Sequence, residues 1–206
     1  WANASRGVPC VLKDTTLELA HKGRSYSEKL AAKRNRPQIP ALIQPTASAA
    51  DLQGCDLIIE AVFEKRDVKA QATKEAEPML APGGLFASNT STLPITGLAQ
   101  AFARPEDFIG LHFFSPVDKM QLVEIIKGKK TSAQTLARAY DYVLQIGKMP
   151  IVVNDSRGFY TSRTFGTFVA EGCSMLMEGI PAAVIENAGR LAGMPVGPLA
   201  VIDETS

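Results

Sequence analysis

Two titratable side chains stand where apolar ones would be expected. DFIGLHFF (107–114) reads as a buried strand, yet it carries His112, one of only two histidines in the chain. Pro116 ends that strand, and QLVEII (121–126) forms a second strand pattern with one carboxylate, Glu124, between Val123 and Ile125. Taken singly, a histidine in an apolar strand is more often a satisfied core residue, and a glutamate in a strand more often faces water. Taken together they read differently, because two adjacent strands joined by a turn of this length bring such side chains into contact. A part-buried carboxylate beside an imidazole favours the protonated ring and fixes its tautomer. Such a pair suits a general base that takes a proton from an alcohol while hydride leaves the same carbon.

Other polar residues fall at the ends of strand patterns, where the ligands of open parallel sheets bind. Asp14 directly follows the short apolar run VPCVLK. It has two readings: the acid that hydrogen-bonds the adenosine ribose in a dinucleotide fold, or a helix N-cap contributing about 1 kcal/mol. Glu64 and Lys69 stand five residues apart at a strand-to-helix junction, where a solvated pair is the plain alternative to a ligand contact. NTST (89–92) offers an amide and hydroxyls at a strand end, or simply a turn. No GxGxxG precedes Asp14. A dinucleotide fold would then have its first strand before residue 1, with WANASRG as the end of the first helix and VPCVLKD as the second strand.

The elements that position these residues alternate in type. Strand patterns lie at 8–13, 56–62, 84–88, 107–114, 121–126 and 149–154, with LIQPT as a further short candidate. Helical spacing occupies 15–34, about 66–80, about 94–102, and the stretch after Thr131 or Ser132, either of which can cap it before Gly147 ends it. This order predicts an α/β, Rossmann-like, mostly parallel sheet with helices on both faces, lacking its first strand and glycine loop. Beyond Asn154 no strand candidate remains. Phe165, Val169, Cys173 and Leu176 recur at helical spacing, and Pro181 and Gly193 bracket a second helix. The expected domains are 1–153, dinucleotide-binding, and 154–206, the start of a helical domain.

Bulk properties narrow the class. The 206 residues are 46% hydrophobic and 21% charged, an ordinary globular balance. A net charge of +1 gives no field to draw in nucleic acid or an anionic membrane. No apolar run approaches the ~20 residues needed to span a bilayer. Cys10, Cys55 and Cys173 are scattered singly without metal spacing, so no metal is expected, and reduced core cysteines point to a cytosol-like compartment.

VLKD (11–14), DLIIEAVFE (56–64), SNTSTLPIT (88–96), GLHFFSPVDKMQLVEII (110–126) and PIVVNDSRGF (150–159) occur in one order. That series resembles the L-3-hydroxyacyl-CoA dehydrogenase family, and most of all the dehydrogenase part of multifunctional fatty-acid oxidation proteins. The resemblance implies NAD-dependent oxidation of L-3-hydroxyacyl-CoA to 3-ketoacyl-CoA in β-oxidation. It implies His112 as catalytic base and Glu124 as its partner. For the cofactor it implies Asp14 at the adenosine ribose, and Val62, Phe63, Glu64, Lys69, Ser91 and Ser115 along NAD. For the substrate it implies Ser91, Asn89 and Ser162, with Ser27 and Arg34 near coenzyme A. Ser115 and Ser162 stand where many members carry asparagine; serine is shorter and offers one donor where an amide offers two. The implied partners are acyl-CoA, fused or associated enoyl-CoA hydratase and thiolase, and a second copy of the chain through the helical domain. The implied location is the cytoplasm, or the mitochondrial matrix or peroxisome of a eukaryotic cell. Two rivals stay open. One is another β-hydroxyacid dehydrogenase of the same fold, which usually takes a lysine in its helical region as base; no lysine follows Lys148 here. The other is a non-catalytic, crystallin-like relative.

Overall fold

The computed structural model describes residues 1–205, with side chains through Asp203. The chain forms two compact units, Trp1–Arg157 and Gly158–Ser206.

The first unit holds seven strands: β1 (Cys10–Lys13), β2 (Ile43–Thr46), β3 (Cys55–Glu60), β4 (Leu80–Ser88), β5 (Phe108–Phe113), β6 (Leu122–Lys127) and β7 (Met149–Asn154). Its helices are α1 (Leu17–Lys33), α2 (Arg66–Ala76), the short α3 (Ile95–Leu98) and α4 (Ala133–Gln145). Strands β3 to β7 form one sheet in sequence order. All its pairings are parallel except β5 with β6, which run antiparallel. The expected single sheet is divided: β1 and β2 pair with each other in a separate two-stranded parallel sheet. No described strand hydrogen-bonds β1 to β3.

Period-two alternation decides what each face of β5 and β6 buries. Ile109, Leu111, Val123 and Ile125 pack with Ala139 and Val143 of α4 and with Ala87 of β4. Each fully buried side chain of this kind stabilises the fold by roughly 1.5–3 kcal/mol. The opposite face carries Phe108, Gly110, His112, Glu124 and Ile126. There Phe108 stacks on Phe86 with ring centroids 5.6 Å apart. Gly110 gives α3 its seat, because a Cβ at Gly110 would lie 2.8 Å from both Ile126 and Ile95. The alternation that buries the α4 face thus turns the imidazole and the carboxylate to one common side.

Helix ends follow local chemistry. The α1 N-cap is Thr16, whose hydroxyl accepts from the Leu19 amide, so Asp14 does not serve as that cap. Ser132 caps α4 through the Thr135 amide. The helix expected at 94–102 is only Ile95–Leu98, followed by a tighter 3-10 turn. The strand expected at 84–88 starts earlier, at Leu80.

The second unit contains α5 (Thr161–Met177), α6 (Ala182–Leu191) and α7 (Pro198–Thr205). Its packing runs through small residues. A Cβ at Gly172 would meet Pro198 at 2.5 Å, and Gly189 approaches the same proline. The stripe read from the sequence is less covered: Phe165 is 39% and Leu176 46% exposed. Among the described residues, no helix is long and apolar enough to cross a membrane.

Candidate active site

The antiparallel register sets His112 directly opposite Glu124. Both side chains leave the sheet on the same face, and His112 Nδ1 lies 2.7 Å from Glu124 Oε2. Glu124 is fully buried, and the His112 side chain is 7% accessible. A buried carboxylate is tolerated only with charge-assisted or hydrogen-bonding partners, since loss of its partner costs several kcal/mol. With Nδ1 turned to Glu124, Nε2 is the ring nitrogen placed for proton transfer with another group.

The parallel strands β3, β4 and β5 deliver their carboxyl ends to one edge, with Glu60 beside Ser88 in register and Ser88 beside Gly110. His112 is the penultimate residue of β5 at that edge. The turn after β4 reaches it through Asn89, whose side-chain carbonyl accepts from the Phe113 amide at 2.8 Å. Ser91 follows on the same turn and is exposed. The Phe114 ring lies against the imidazole, with centroids 4.4 Å apart.

Glu64 organises that turn. Its Oε1 accepts from the Ser91 and Thr92 amides at 3.0 Å each and from the hydroxyls of Thr90 and Thr92. Burial works against its charge, but the Thr90 hydroxyl, the Thr92 amide and Lys69 outweigh burial and hold the carboxyl below its ordinary pKa. Lys69 is turned inward and is 2% exposed. Its ammonium donates to Glu60 Oε2 at 3.1 Å and to the Val62 carbonyl at 3.2 Å, and lies 3.2 Å from Glu64 Oε2. Glu60, 6% exposed, also accepts from the Ser88 hydroxyl and from the Val62 amide. This buried network locks the ends of β3 and β4 and the first turns of α2.

The remaining expected residues are dispersed. Asp14 ends β1, exposed, with its carboxylate accepting from the Thr15 amide at 2.7 Å. Val62 and Phe63 form an exposed loop tip after β3, Phe63 at 83%. Ser115 is exposed in the loop after β5. Ser27 is buried at 4% on α1. Arg34 donates to Asp118 at 2.6 Å and covers the Trp1 ring at 5.4 Å. Ser162 lies on α5 in the helical unit.

Sequence reading missed three residues. Glu60 was hidden inside an apolar strand pattern, although an acid nine residues before Lys69 was a usable signal. Asp118 lies between the two strand patterns, with no local signal of its distant partners Tyr26 and Arg34. Asp155 receives the Ile95 and Thr96 amides, both at 2.8 Å, and so fastens α3 to the end of β7.

A model of the 3-hydroxyacyl-CoA dehydrogenase NAD-binding domain matches residues 2–156, and one of the 3-hydroxyacyl-CoA dehydrogenase C-terminal domain matches residues 158–206. The chain therefore belongs to the 3-hydroxyacyl-CoA dehydrogenase family, and the strand-rich unit is its NAD-binding domain. Among individual proteins, it is 39% identical to the fatty acid oxidation complex subunit alpha of Shewanella loihica. That alignment covers 96% of this chain and 29% of the relative, so the chain spans less than a third of that protein's length. The crystal structure of (S)-3-hydroxybutyryl-CoA dehydrogenase from Ralstonia eutropha superposes with a TM-score of 0.92 at 34% identity, over 98% of this chain and 76% of that one. The 3-hydroxybutyryl-CoA dehydrogenase of Escherichia coli gives a TM-score of 0.88 at 30% identity, over 97% of this chain and 45% of that one.

The residues present suit the adenosine and nicotinamide ends of NAD. An exposed acid ends β1, an exposed Val62–Phe63 tip follows β3, and the Asn89–Ser91 turn lies beside His112. The glycine-rich pyrophosphate loop is absent from these residues.

Proposed function

We propose that this chain carries NAD-dependent oxidation of L-3-hydroxyacyl-CoA to 3-ketoacyl-CoA, as part of fatty-acid β-oxidation. The observation that carries the reading is the 2.7 Å contact between His112 and a fully buried glutamate at the carboxyl edge of the sheet.

In this mechanism His112 Nε2 takes the proton of the 3-hydroxyl. Glu124 holds the ring's tautomer and orientation through Nδ1, and stabilises the imidazolium that forms. NAD, when bound, accepts the hydride from the same carbon. Ser91 and Asn89 belong to the turn that faces the 3-oxygen and the nicotinamide, and Glu64 keeps that turn in place through the Ser91 and Thr92 amides. Asp14 holds the adenosine ribose, and the exposed tip of Val62 and Phe63, with Ser115, flanks the cofactor. Ser162 is a further substrate residue in this reading. Lys69 acts from within the protein, by neutralising Glu60 and Glu64, and Arg34 reaches coenzyme A only with the guanidinium nitrogens that Asp118 leaves open.

The name of the Shewanella relative supports placing the chain in a fatty acid oxidation complex; enoyl-CoA hydratase and thiolase as fused or associated partners go with the same reading. A homodimer through the helical unit, and a cytoplasmic or organelle-matrix location, go with the same reading.

The test is NADH formation by the full-length protein. NAD with L-3-hydroxybutyryl-CoA should give turnover. Free 3-hydroxybutyrate, or NADP in place of NAD, should give at least about tenfold lower kcat/KM. Equal rates with the free acid would favour a β-hydroxyacid dehydrogenase of another kind, and no NADH from any thioester would favour a non-catalytic relative.

A further inference from the structure

The loop that joins the histidine strand to the glutamate strand, residues 114–121, is fastened from two sides by groups distant in sequence. From α1, the Tyr26 hydroxyl donates to Asp118 Oδ1 at 2.7 Å, and Arg34 Nη2 donates to Asp118 Oδ2 at 2.6 Å. The Asp118 side chain is left 2% accessible. From the residue before β7, the Lys148 ammonium donates to the carbonyls of Val117 at 2.7 Å and Met120 at 2.6 Å. Apolar burial does not hold this loop, because Ser115, Pro116, Val117, Lys119, Met120 and Gln121 are all exposed. Beside the Met149 amide, which donates to the Gln121 carbonyl at 2.9 Å, it is held by these charge-assisted hydrogen bonds, which are roughly twice as strong as neutral ones. The loop begins at Phe114, whose ring packs on the His112 imidazole, and continues through Ser115.

We propose that Asp118, by accepting from Tyr26 and Arg34, is a positioning residue for the reaction: it fixes the loop that seats Phe114 against His112. Glu124 fixes one edge of the imidazole through Nδ1. Phe114 restricts the ring's tilt, and Asp118 restricts Phe114. The arrangement also commits one guanidinium nitrogen of Arg34 to Asp118. The inference rests on His112 being the base, but its structural half is readable without turnover.

The experiment uses the full-length protein with Tyr26→Phe, Asp118→Ala and Asp118→Glu. Tyr26 is 51% exposed, so its variant removes a hydroxyl without opening the core. With histidine labelled with carbon-13, the His112 ring resonance, assigned through His112→Gln, should move in Asp118→Ala as the Phe114 ring current changes. The His21 resonance should stay. In the NADH assay, Asp118→Ala should lower kcat about tenfold and Tyr26→Phe about threefold, with KM for the thioester within about twofold. Asp118→Glu should recover part of the loss. An unchanged His112 resonance overturns the proposal. So does a raised KM with kcat intact, which would make Asp118 a holder of Arg34 for coenzyme A. A lowered melting temperature with kcat intact overturns it as well. If the wild type forms no NADH, the catalytic reading fails, while the resonance shift still decides whether Asp118 seats Phe114.

Discussion

The His112–Glu124 pair and the Glu60–Lys69 pair both bury a glutamate against a nitrogen-bearing partner, but they are held in different ways. His112 and Glu124 face each other across one register position of two hydrogen-bonded strands, so the sheet ladder brings them to their 2.7 Å contact. Glu60 and Lys69 come from a strand end and the following helix. They are held by Ser88, Val62 and Glu64 as well as by each other. The first pair includes an imidazole, whose two ring nitrogens let it both accept and donate a proton. In the second, an ammonium is enclosed by carboxylates and a carbonyl and neutralised in place. The difference teaches that a buried glutamate and its partner become a catalytic candidate when the partner can both accept and donate a proton, and become scaffold when the partner is a donor consumed internally.

The comparison can be broken by removing one member of each pair. His112→Ala should lower kcat by about two to four orders of magnitude, with NADH affinity nearly unchanged. Lys69→Met should strand the Glu60 carboxylate, costing about 3–5 kcal/mol of stability in denaturant unfolding. If Lys69→Met were as stable as wild type, Glu60 would have another way to satisfy its charge. Glu124→Gln keeps the shape of the partner and removes its charge; kcat should fall about 10- to 100-fold, less than for His112→Ala. A smaller effect is expected from pH. The Glu64 carboxyl is held below its ordinary pKa, so its hold on the Ser91–Thr92 amides is fully present above about pH 4.5. That hold is lost as pH falls through the depressed value, and Glu64→Gln should flatten the acid limb of thermal stability between about pH 5 and 3. An unchanged acid limb would remove Glu64 from the account of that turn.

The smallest effect concerns the Asp118 contacts. The hydrogen bond from Tyr26 and the charge of Arg34 lower the Asp118 pKa, while the same hydrogen bond raises that of Tyr26. The other charged groups that face this site are Lys119, Lys148 and the Trp1 amino group. The Asp118 contribution is complete above about pH 3.8 and the Tyr26 contribution below about pH 10, so the contact should persist across the catalytic range. The kcat ratio of wild type to Tyr26→Phe should therefore stay flat between about pH 6 and 9; a ratio that varies with pH there would mean another group titrates in the loop.

The sequence disclosed what depends on local periodicity. DFIGLHFF and QLVEII mark their strands by composition, and an odd polar residue in each was enough to bring His112 and Glu124 together. It hid what depends on long-range closure. Asp118 meets partners 92 and 84 residues away, which no spacing rule reaches. Glu60 was absorbed into an apolar strand because its neutralising lysine lies on the next helix. The split into two sheets was also illegible, since pairing partners are chosen by tertiary geometry and VPCVLK would look the same in either. In α5 the apolar residues that mark the helix by their spacing are partly exposed, whereas the close contact runs through Gly172, where the absence of a side chain is the feature that matters.

The central claim is that His112 faces the reacting oxygen. A crystal structure of the full-length protein with NAD and a 3-ketoacyl-CoA measures this directly. The account predicts His112 Nε2 within about 2.6–3.2 Å of the 3-oxygen, with Nδ1 still on Glu124. A 3-oxygen bound out of reach of His112, and against some other proton-transferring side chain, would contradict it.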